Sequence, residues 1–369
     1  MTPEGWTRYG WEFIDSEWRL RPYMPRIAQR IIGTSLYFYD TTDAARNGSR
    51  SGGSGVLVGQ PSASSSWVHL YAVTNAHVVE AGGIVARAST RTGEAKIFAK
   101  RFDDWQHLGH DEWNPESVDY DDVAVCWLGK APLGEDQELQ WVPRDWFVTE
   151  EHLGVVAPQR DPLWRSGPIT AGEETCSVAR FVGYDGMERN EPVVRFGNLS
   201  SAGLVPVWQG PRHREQQSLL VEARSLAGAS GAPVFAYRTG TTYGGGGTPV
   251  DNAVLLGIGW GHIKHPEDEG AEYAVEMAIP GRPTPGRYNA GMMAVVPAWT
   301  IAKLLDHPKV VALRDQRERE IVERAESLEG TTAMDEARGE YEQFEDLARK
   351  LVNVPKRQLD DQRRREGEG

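Results

Sequence analysis

The sequence predicts an all-β protein of two six-stranded antiparallel β-barrels with a C-terminal helical extension. Three observations predict it. Short apolar, strand-like runs recur in two series of six, clusters of Gly, Ser, Asn and Asp punctuate them, and no helix-length apolar periodicity lies between them. The chain has 369 residues, more than one ordinary small domain holds, so each series is expected to bury its own core. An apolar fraction of 40% and a charged fraction of 25% are those of a globular protein, and 40 glycines suit a fold rich in turns.

The first series is "GTSLYFY" (33–39), "GSGVLVG" (53–59), "VHLYAVTN" (68–75), "GGIVARAST" (82–90), "AKIFAKRF" (95–102) and "DDVAVCWL" (121–128). The second is "TCSVARFVGY" (175–184), "VVRFGNLSS" (193–201), "QSLLVEAR" (217–224), "APVFAYR" (232–238), "AVLLGIGWG" (253–261) and "YAVEMAIP" (273–280). A Trp-rich N-terminal extension (1–30) precedes the first barrel (31–145), and residues 146–306 comprise an irregular connection, the second barrel and a terminal helix. The tract "TGTTYGGGGTP" (239–249) reads as a glycine-rich hairpin loop. In "PAWTIAKLLDH", Pro297 suits the first helical position, Trp299, Ile301, Leu304 and Leu305 make an apolar stripe, and Pro308 is a stop. The remainder (307–369) is a charged helical tail with a Tyr341, Phe344, Leu347, Leu351 stripe. Such a stripe either packs on the protein's own body or docks a regulatory protein partner.

Composition also excludes function classes. With 53 acidic against 40 basic residues the net charge is −13, which repels nucleic acid and anionic membrane, so neither is expected as a partner. The start "MTPEGWTRYGWEFIDSEW" lacks a basic segment followed by an apolar one, and nowhere do 18 consecutive apolar residues occur. A cytoplasmic chain made without export is expected. The two cysteines, Cys126 and Cys176, lie inside apolar runs and read as buried thiols in a reducing compartment.

Three stretches carry chemistry: "YAVTNAHVV" with His77, "DYDDVAVCWL" with Asp122, and "SLAGASGAPVF" with Ser230. A serine hydroxyl is a poor nucleophile near neutral pH and needs a base. Imidazole takes that proton and returns it to the leaving group, while a buried carboxylate fixes the imidazole tautomer and stabilises the imidazolium. Each motif alone has an ordinary reading: a structural histidine, a turn aspartate, a tight glycine turn.

Together, in the order His, Asp, Ser, they resemble the trypsin-like (chymotrypsin-fold) serine peptidases, above all the disulfide-poor bacterial branch. "VTNAHVV" is similar to that branch's histidine motif, "DVAV" to its aspartate motif and "GASGAPVF" to its GxSGxPV serine motif, and the likeness covers roughly residues 31–306. "LLGIGWGH" resembles the strand lining the substrate cleft, and "AVEMAIP" and "MMAVVPAWTIAKLL" resemble the closing strand and terminal helix. The resemblance implies a serine endopeptidase acting on protein or peptide substrates with no cofactor. It makes Ser230 the nucleophile, His77 the general base and acid, and Asp122 the orienting carboxylate. Asp119 and Asp121 compete for the last role, but only Asp122 directly precedes the Val-Ala-Val run, and Asp121 points to the opposite strand face. Gly228 and Ser230 are implied to supply the backbone N–H groups of the oxyanion hole.

Departures from the family's pattern matter as much. "QRIIGTS" mimics an activation junction at Arg30–Ile31, yet the position whose aspartate would receive the new N-terminus is Ala229, so the proteolytic switch is absent. Gly259 stands where many relatives place a serine supporting the buried aspartate. Arg224, Gly259, Trp260, Gly261 and His262 are implied as substrate-binding residues. Arg224, near the pocket floor where trypsin carries aspartate, argues against cleavage after Lys or Arg; a preference for acidic side chains and a surface salt bridge are both open to it. The pairs His107/His110 and His262/His265 have spacings that zinc sites favour on helices but sit in loop-like context, and no metal is expected. A pseudo-peptidase or partner-binding module using the same barrels and tail is the alternative reading.

Overall fold

Strand after strand in this chain is apolar on both faces, because each barrel packs its interior on one face and its neighbour on the other. The computed structural model describes residues 11–14, 17–20, 27–49, 51–62, 67–107, 121–132, 138–153, 168–181, 186, 189–209, 214–223, 228–237, 253–264, 274–276 and 289–329. Contacts divide the chain into a unit spanning Met1–Val310 and a second, Val311–Gly369.

A hairpin of β1 (Trp11–Ile14) and β2 (Glu17–Leu20) comes first. The helical turn α1 (Gln29–Ile32) leads into β3 (Ser35–Tyr39), α2 (Thr42–Asn47), β4 (Ser51–Pro61), β5 (Trp67–Thr74) and the short helix α3 (Ala76–Glu80). Then follow β6 (Val85–Ser89), β7 (Ala95–Phe98), β8 (Trp105–His107), β9 (Ala124–Pro132) and β10 (Val142–Pro143). These strands form one curved sheet in the order β7-β6-β3-β4-β5-β9-β8, antiparallel throughout, with β10 pairing parallel to β4. Among the described strands no pairing closes its ends, so this half is an open barrel of eight strands instead of a closed one of six. The two unexpected strands, β8 and β10, have three and two residues, too few to show alternation.

The second half comprises β11 (Glu174–Ala179), β12 (Val193–Leu199), β13 (Val205–Gln209), β14 (Arg214–Glu222), β15 (Pro233–Tyr237), β16 (Ala253–Lys264), β17 (Ala274–Glu276) and β18 (Asn289–Pro297). Six of them close a ring, β11-β12-β14-β18-β16-β15 and back to β11. β13 and β17 pair with each other and join the ring through β14 and β16. The mostly antiparallel, two-barrel architecture with C-terminal helices is thus present, with β18 taking the ring place expected of 273–280.

Alternation explains how one core serves two barrels. In β5, Val68, Leu70 and Ala72 face the first barrel's interior, while Tyr71 and Val73 join a cluster shared with Phe235, Leu255, Trp260 and Val296 of the second. In β15, Val234 and Ala236 face the second interior, and Phe235 and Tyr237 face the shared cluster. Helix α4 (Ala298–Leu305) buries Trp299, Ile301, Leu304 and Leu305 against this body. Pro297 stands one place before the first helical residue, in extended conformation. Helix α4 ends before Pro308, and Pro308 itself opens a new helix, α5 (Pro308–Glu329), since a residue without an N–H is harmless in a first turn.

Cys126 and Cys176 are both buried and unbridged, and burial pushes the Cys126 thiol up to about 12. No helix among the described residues is long and apolar enough to cross a membrane, and no cluster of metal-ligating side chains occurs among them. The glycine-rich tract 239–249, the Tyr341–Leu351 stripe, Asp119, His110 and His265 lie outside the described residues.

Candidate active site

Strand register sets the first half of the site. β5 pairs with β9 so that Thr74 lies opposite Ala124, and the chain continues from Thr74 through Asn75 into α3. His77 therefore lies three residues beyond one strand end, beside Asp122, two residues before the start of its neighbour. The Asn75 side-chain amide donates to the Asp122 carbonyl (2.8 Å) and ties the two segments together.

The Asp122 carboxylate is fully buried and both of its oxygens engage His77. Oδ2 is 2.6 Å from the imidazole Nδ1, and Oδ1 accepts the His77 backbone N–H at 3.0 Å. A buried carboxylate next to Nδ1 keeps the proton on that nitrogen and leaves Nε2 as the basic one. Nε2 is itself buried and makes no hydrogen bond.

Gln216, from β14 of the second barrel, holds the aspartates from behind. Its Oε1 accepts the Asp122 N–H (2.8 Å), and its Nε2 donates to Asp121 Oδ1 (2.6 Å). Asp121 is thereby engaged by Gln216, and Asp122 is the carboxylate at the imidazole. A Cβ on Gly259 would lie 2.6 Å from Met293 Sδ, so a side chain at this position requires the flexible Met293 thioether to move.

The Ser230 turn precedes β15. Gly228 (φ 86°) and Gly231 (φ 84°) take left-handed conformations that side chains disfavour, and a Cβ on Gly231 would collide with Ser54 O and Thr74 Oγ1. The Ala232 N–H donates to Ala229 O (2.9 Å), the Gly231 N–H to Gly259 O (2.7 Å) and the Gly259 N–H to Ala232 O (2.9 Å). In a trans peptide the C=O and N–H point in opposite directions, so pinning Ala229 O directs the Ser230 N–H away from the strand. Neither the Gly228 nor the Ser230 N–H donates to any acceptor among the described residues.

The two halves meet across β4. A Cβ on Gly53 would lie 2.9 Å from Val78, the residue after His77, and 3.1 Å from Ser230 O, so one glycine backbone separates helix α3 from the turn. The implied Ser230 Oγ to His77 Nε2 hydrogen bond is not formed: Nε2 has no partner, although the half-buried serine needs only a rotation about one torsion to change its reach.

Residues implied to bind substrate fare differently. Arg224 lies outside the described residues. Trp260, implied as cleft wall, is instead core: it is fully buried and its indole N–H donates to Ser218 Oγ (2.9 Å), because its strand position faces the cluster shared by the barrels. Gly259 is pinned to the Ser230 turn through both backbone groups, and Gly261 and His262 are half-buried on the same strand. The Arg30–Ile31 junction is folded into α1, with Ile31 buried and the guanidinium 4.9 Å from the Trp146 ring centroid. Ala229 sits in an apolar cluster with Ala179 and Ala232.

Reading motifs alone misses Ser54 and Gln216. The signal for Ser54 is the "GSG" of β4, small residues on either side of a polar one inside an apolar strand. Gln216 leaves no comparable trace.

No protein-family profile matches the chain, and no curated protein does. Among solved structures, a glutamic-acid-specific serine protease is similar with 13% identity and a TM-score of 0.31, over 74% of this chain and 95% of that one. The scabies mite inactivated protease paralogue S-I1 is similar with 14% identity and a TM-score of 0.37, over 77% of this chain and 98% of that one.

Proposed function

We propose that this chain is a trypsin-like serine endopeptidase of the disulfide-poor bacterial branch, working in the cytoplasm without a cofactor. Ser230 Oγ attacks the scissile carbonyl carbon while His77 Nε2 accepts the hydroxyl proton. The Gly228 and Ser230 N–H groups stabilise the resulting oxyanion. As the intermediate collapses, His77 returns the proton to the leaving amine, giving an acyl-serine. Water then attacks this ester by the same route, His77 taking its proton and passing it to Ser230, which releases the acid. Asp122 holds Nδ1–H throughout.

The observation that carries the reading is the Asp122–His77 pair: a fully buried carboxylate bound to both the ring and the backbone of one histidine, whose other ring nitrogen stays buried without a partner. Buried, unbridged Cys126 and Cys176 suit a reducing compartment. Activity is constitutive or gated by a protein partner through the charged tail, a reading favoured by the buried Ile31 and the alanine surroundings of Ala229.

A fluorophosphonate probe on the purified protein tests the proposal. Stoichiometric labelling that disappears in Ser230→Ala is expected, and labelling that survives the substitution refutes Ser230 as the nucleophile. The unformed Ser230–His77 hydrogen bond favours a second reading, a pseudo-peptidase that binds partners with its barrels and tail. That protein would leave the probe unreacted and capture its partner equally well as Ser230→Ala.

A further inference from the structure

Ser54 is fully buried in β4 of the first barrel, yet all of its polar groups are engaged, two of them with the second barrel through three hydrogen bonds. Its backbone N–H donates to Ser230 O (2.8 Å) and its hydroxyl donates to Gly228 O (2.8 Å). The hydroxyl accepts the Arg180 N–H (3.0 Å), and its backbone carbonyl accepts Thr74 Oγ1 (2.7 Å), three residues before His77. The hydroxyl's orientation is unambiguous. Arg180 N–H can only donate and Gly228 O can only accept, so the Ser54 proton lies toward Gly228.

We infer that Ser54 is a positioning residue for acyl transfer: its hydroxyl fixes the peptide between Gly228 and Ala229, and so sets the geometry of the two oxyanion-binding N–H groups. The inference rests on the peptidase reading of Ser230. Three consecutive peptides make up the turn. The carbonyl of Ala229 is held by the Ala232 N–H and that of Ser230 by the Ser54 N–H, both backbone donors that side-chain substitutions other than proline retain. The Gly228 carbonyl is held by the Ser54 side chain. This is also the peptide next to a glycine at φ 86°, where rotation meets the least steric resistance. The Gly228 N–H sits on the preceding peptide and the Ser230 N–H on the following one, so an unheld 228–229 peptide that turns about its flanking torsions changes the angle between the two N–H groups. Because Ser54 is fully buried, bulk water has no ready access to replace the lost hydroxyl.

The test is the second-order rate of fluorophosphonate labelling of Ser230 in the full-length chain, read together with the downfield proton resonance of the His77–Asp122 hydrogen bond. In Ser54→Ala, labelling slows about 10- to 100-fold while the resonance persists, since the substitution leaves that pair untouched. Ser54→Cys, nearly isosteric but a weak donor, shows the same loss, and Ser54→Thr, which keeps the hydroxyl, recovers most of the rate. Wild-type labelling rates in Ser54→Ala or Ser54→Cys overturn the inference and leave the peptidase reading standing. Slow labelling accompanied by loss of the downfield resonance also overturns it, because the residue would then support the whole site and not the turn. A wild-type protein that does not label overturns both.

Discussion

Replacing Asp122 by asparagine inverts the polarity at one of its two contacts with His77. The carboxylate accepts twice, from Nδ1–H at 2.6 Å and from the backbone N–H at 3.0 Å, whereas a carboxamide has one accepting and one donating end. If the amide oxygen faces the imidazole, its NH2 meets the His77 backbone N–H, and two buried donors confront each other. If the oxygen keeps the backbone N–H, the NH2 meets Nδ1, which answers by giving up its proton to Nε2. The second arrangement costs only a tautomer change and wins. Nε2 then carries a proton where it needs a lone pair, and Ser230 loses its base. The expected loss is about 10⁴-fold in turnover or probe labelling, which corresponds to about 5.5 kcal/mol of transition-state stabilisation. Asparagine is nearly isosteric, so the thermal midpoint should move far less than activity does. Asp121→Asn is the matched control, because it retains the Oδ1 acceptor that Gln216 Nε2 uses, and its labelling rate should stay close to wild type. Labelling kinetics and melting curves of the three proteins decide the matter. An Asp122→Asn rate within tenfold of wild type, or equal damage from Asp121→Asn, refutes the assignment.

Two further predictions concern the body around the site. The fully buried Arg87 guanidinium donates to Asn190 Oδ1 (2.8 Å), Ala45 O (2.7 Å) and Gly186 O (3.2 Å) and lies 4.9 Å from the Tyr39 ring centroid. Arg87→Met fills the volume but strands those acceptors, so it should destabilise by about 3–5 kcal/mol, seen as a lower urea midpoint; an unchanged midpoint refutes this. Burial raises the Cys126 thiol from its ordinary 9.0 to about 12. The unfolded thiol therefore ionises first, and stability that is constant below about pH 9 falls above it by about 1.4 kcal/mol per pH unit from this group. Cys126→Ala should flatten that fall between pH 9 and 10.5 in urea titrations, and parallel curves for the two proteins would count against it.

What the sequence made legible was what repeats locally. The long strands announced themselves through apolar runs, and the neighbouring placement of His77 and Asp122 follows from two such runs pairing end to end. β8, β10 and β13 did not, because runs of two to five residues are too short for a periodic pattern and exist through their partners. Side-chain bonds that bridge the barrels were equally hidden. Ser54 and Gly228 are 174 positions apart, and Asp122 and Gln216 are 94 apart, so no window of sequence contains both ends. Trp260 was read from its place beside the glycines of β16, but which face of a strand meets the second core depends on how the barrels dock.

That docking links fold to site. His77 and Asp122 belong to the first barrel and Ser230 to the second, so neither barrel alone carries all three. Several side chains cross the seam, among them Ser54 to Gly228, Gln216 to Asp122, and Arg87 to Asn190. Each would leave buried polar groups unpaired if the barrels separated, and the shared apolar cluster would be exposed with them. The site is therefore assembled by the same interactions that make the two barrels one cooperative body. Substitutions inside either barrel's own core should lower stability with little effect on the chemistry of the remaining folded protein. Substitutions at the seam should reach the chemistry without touching substrate, since the seam brings the His77 and Ser230 segments together.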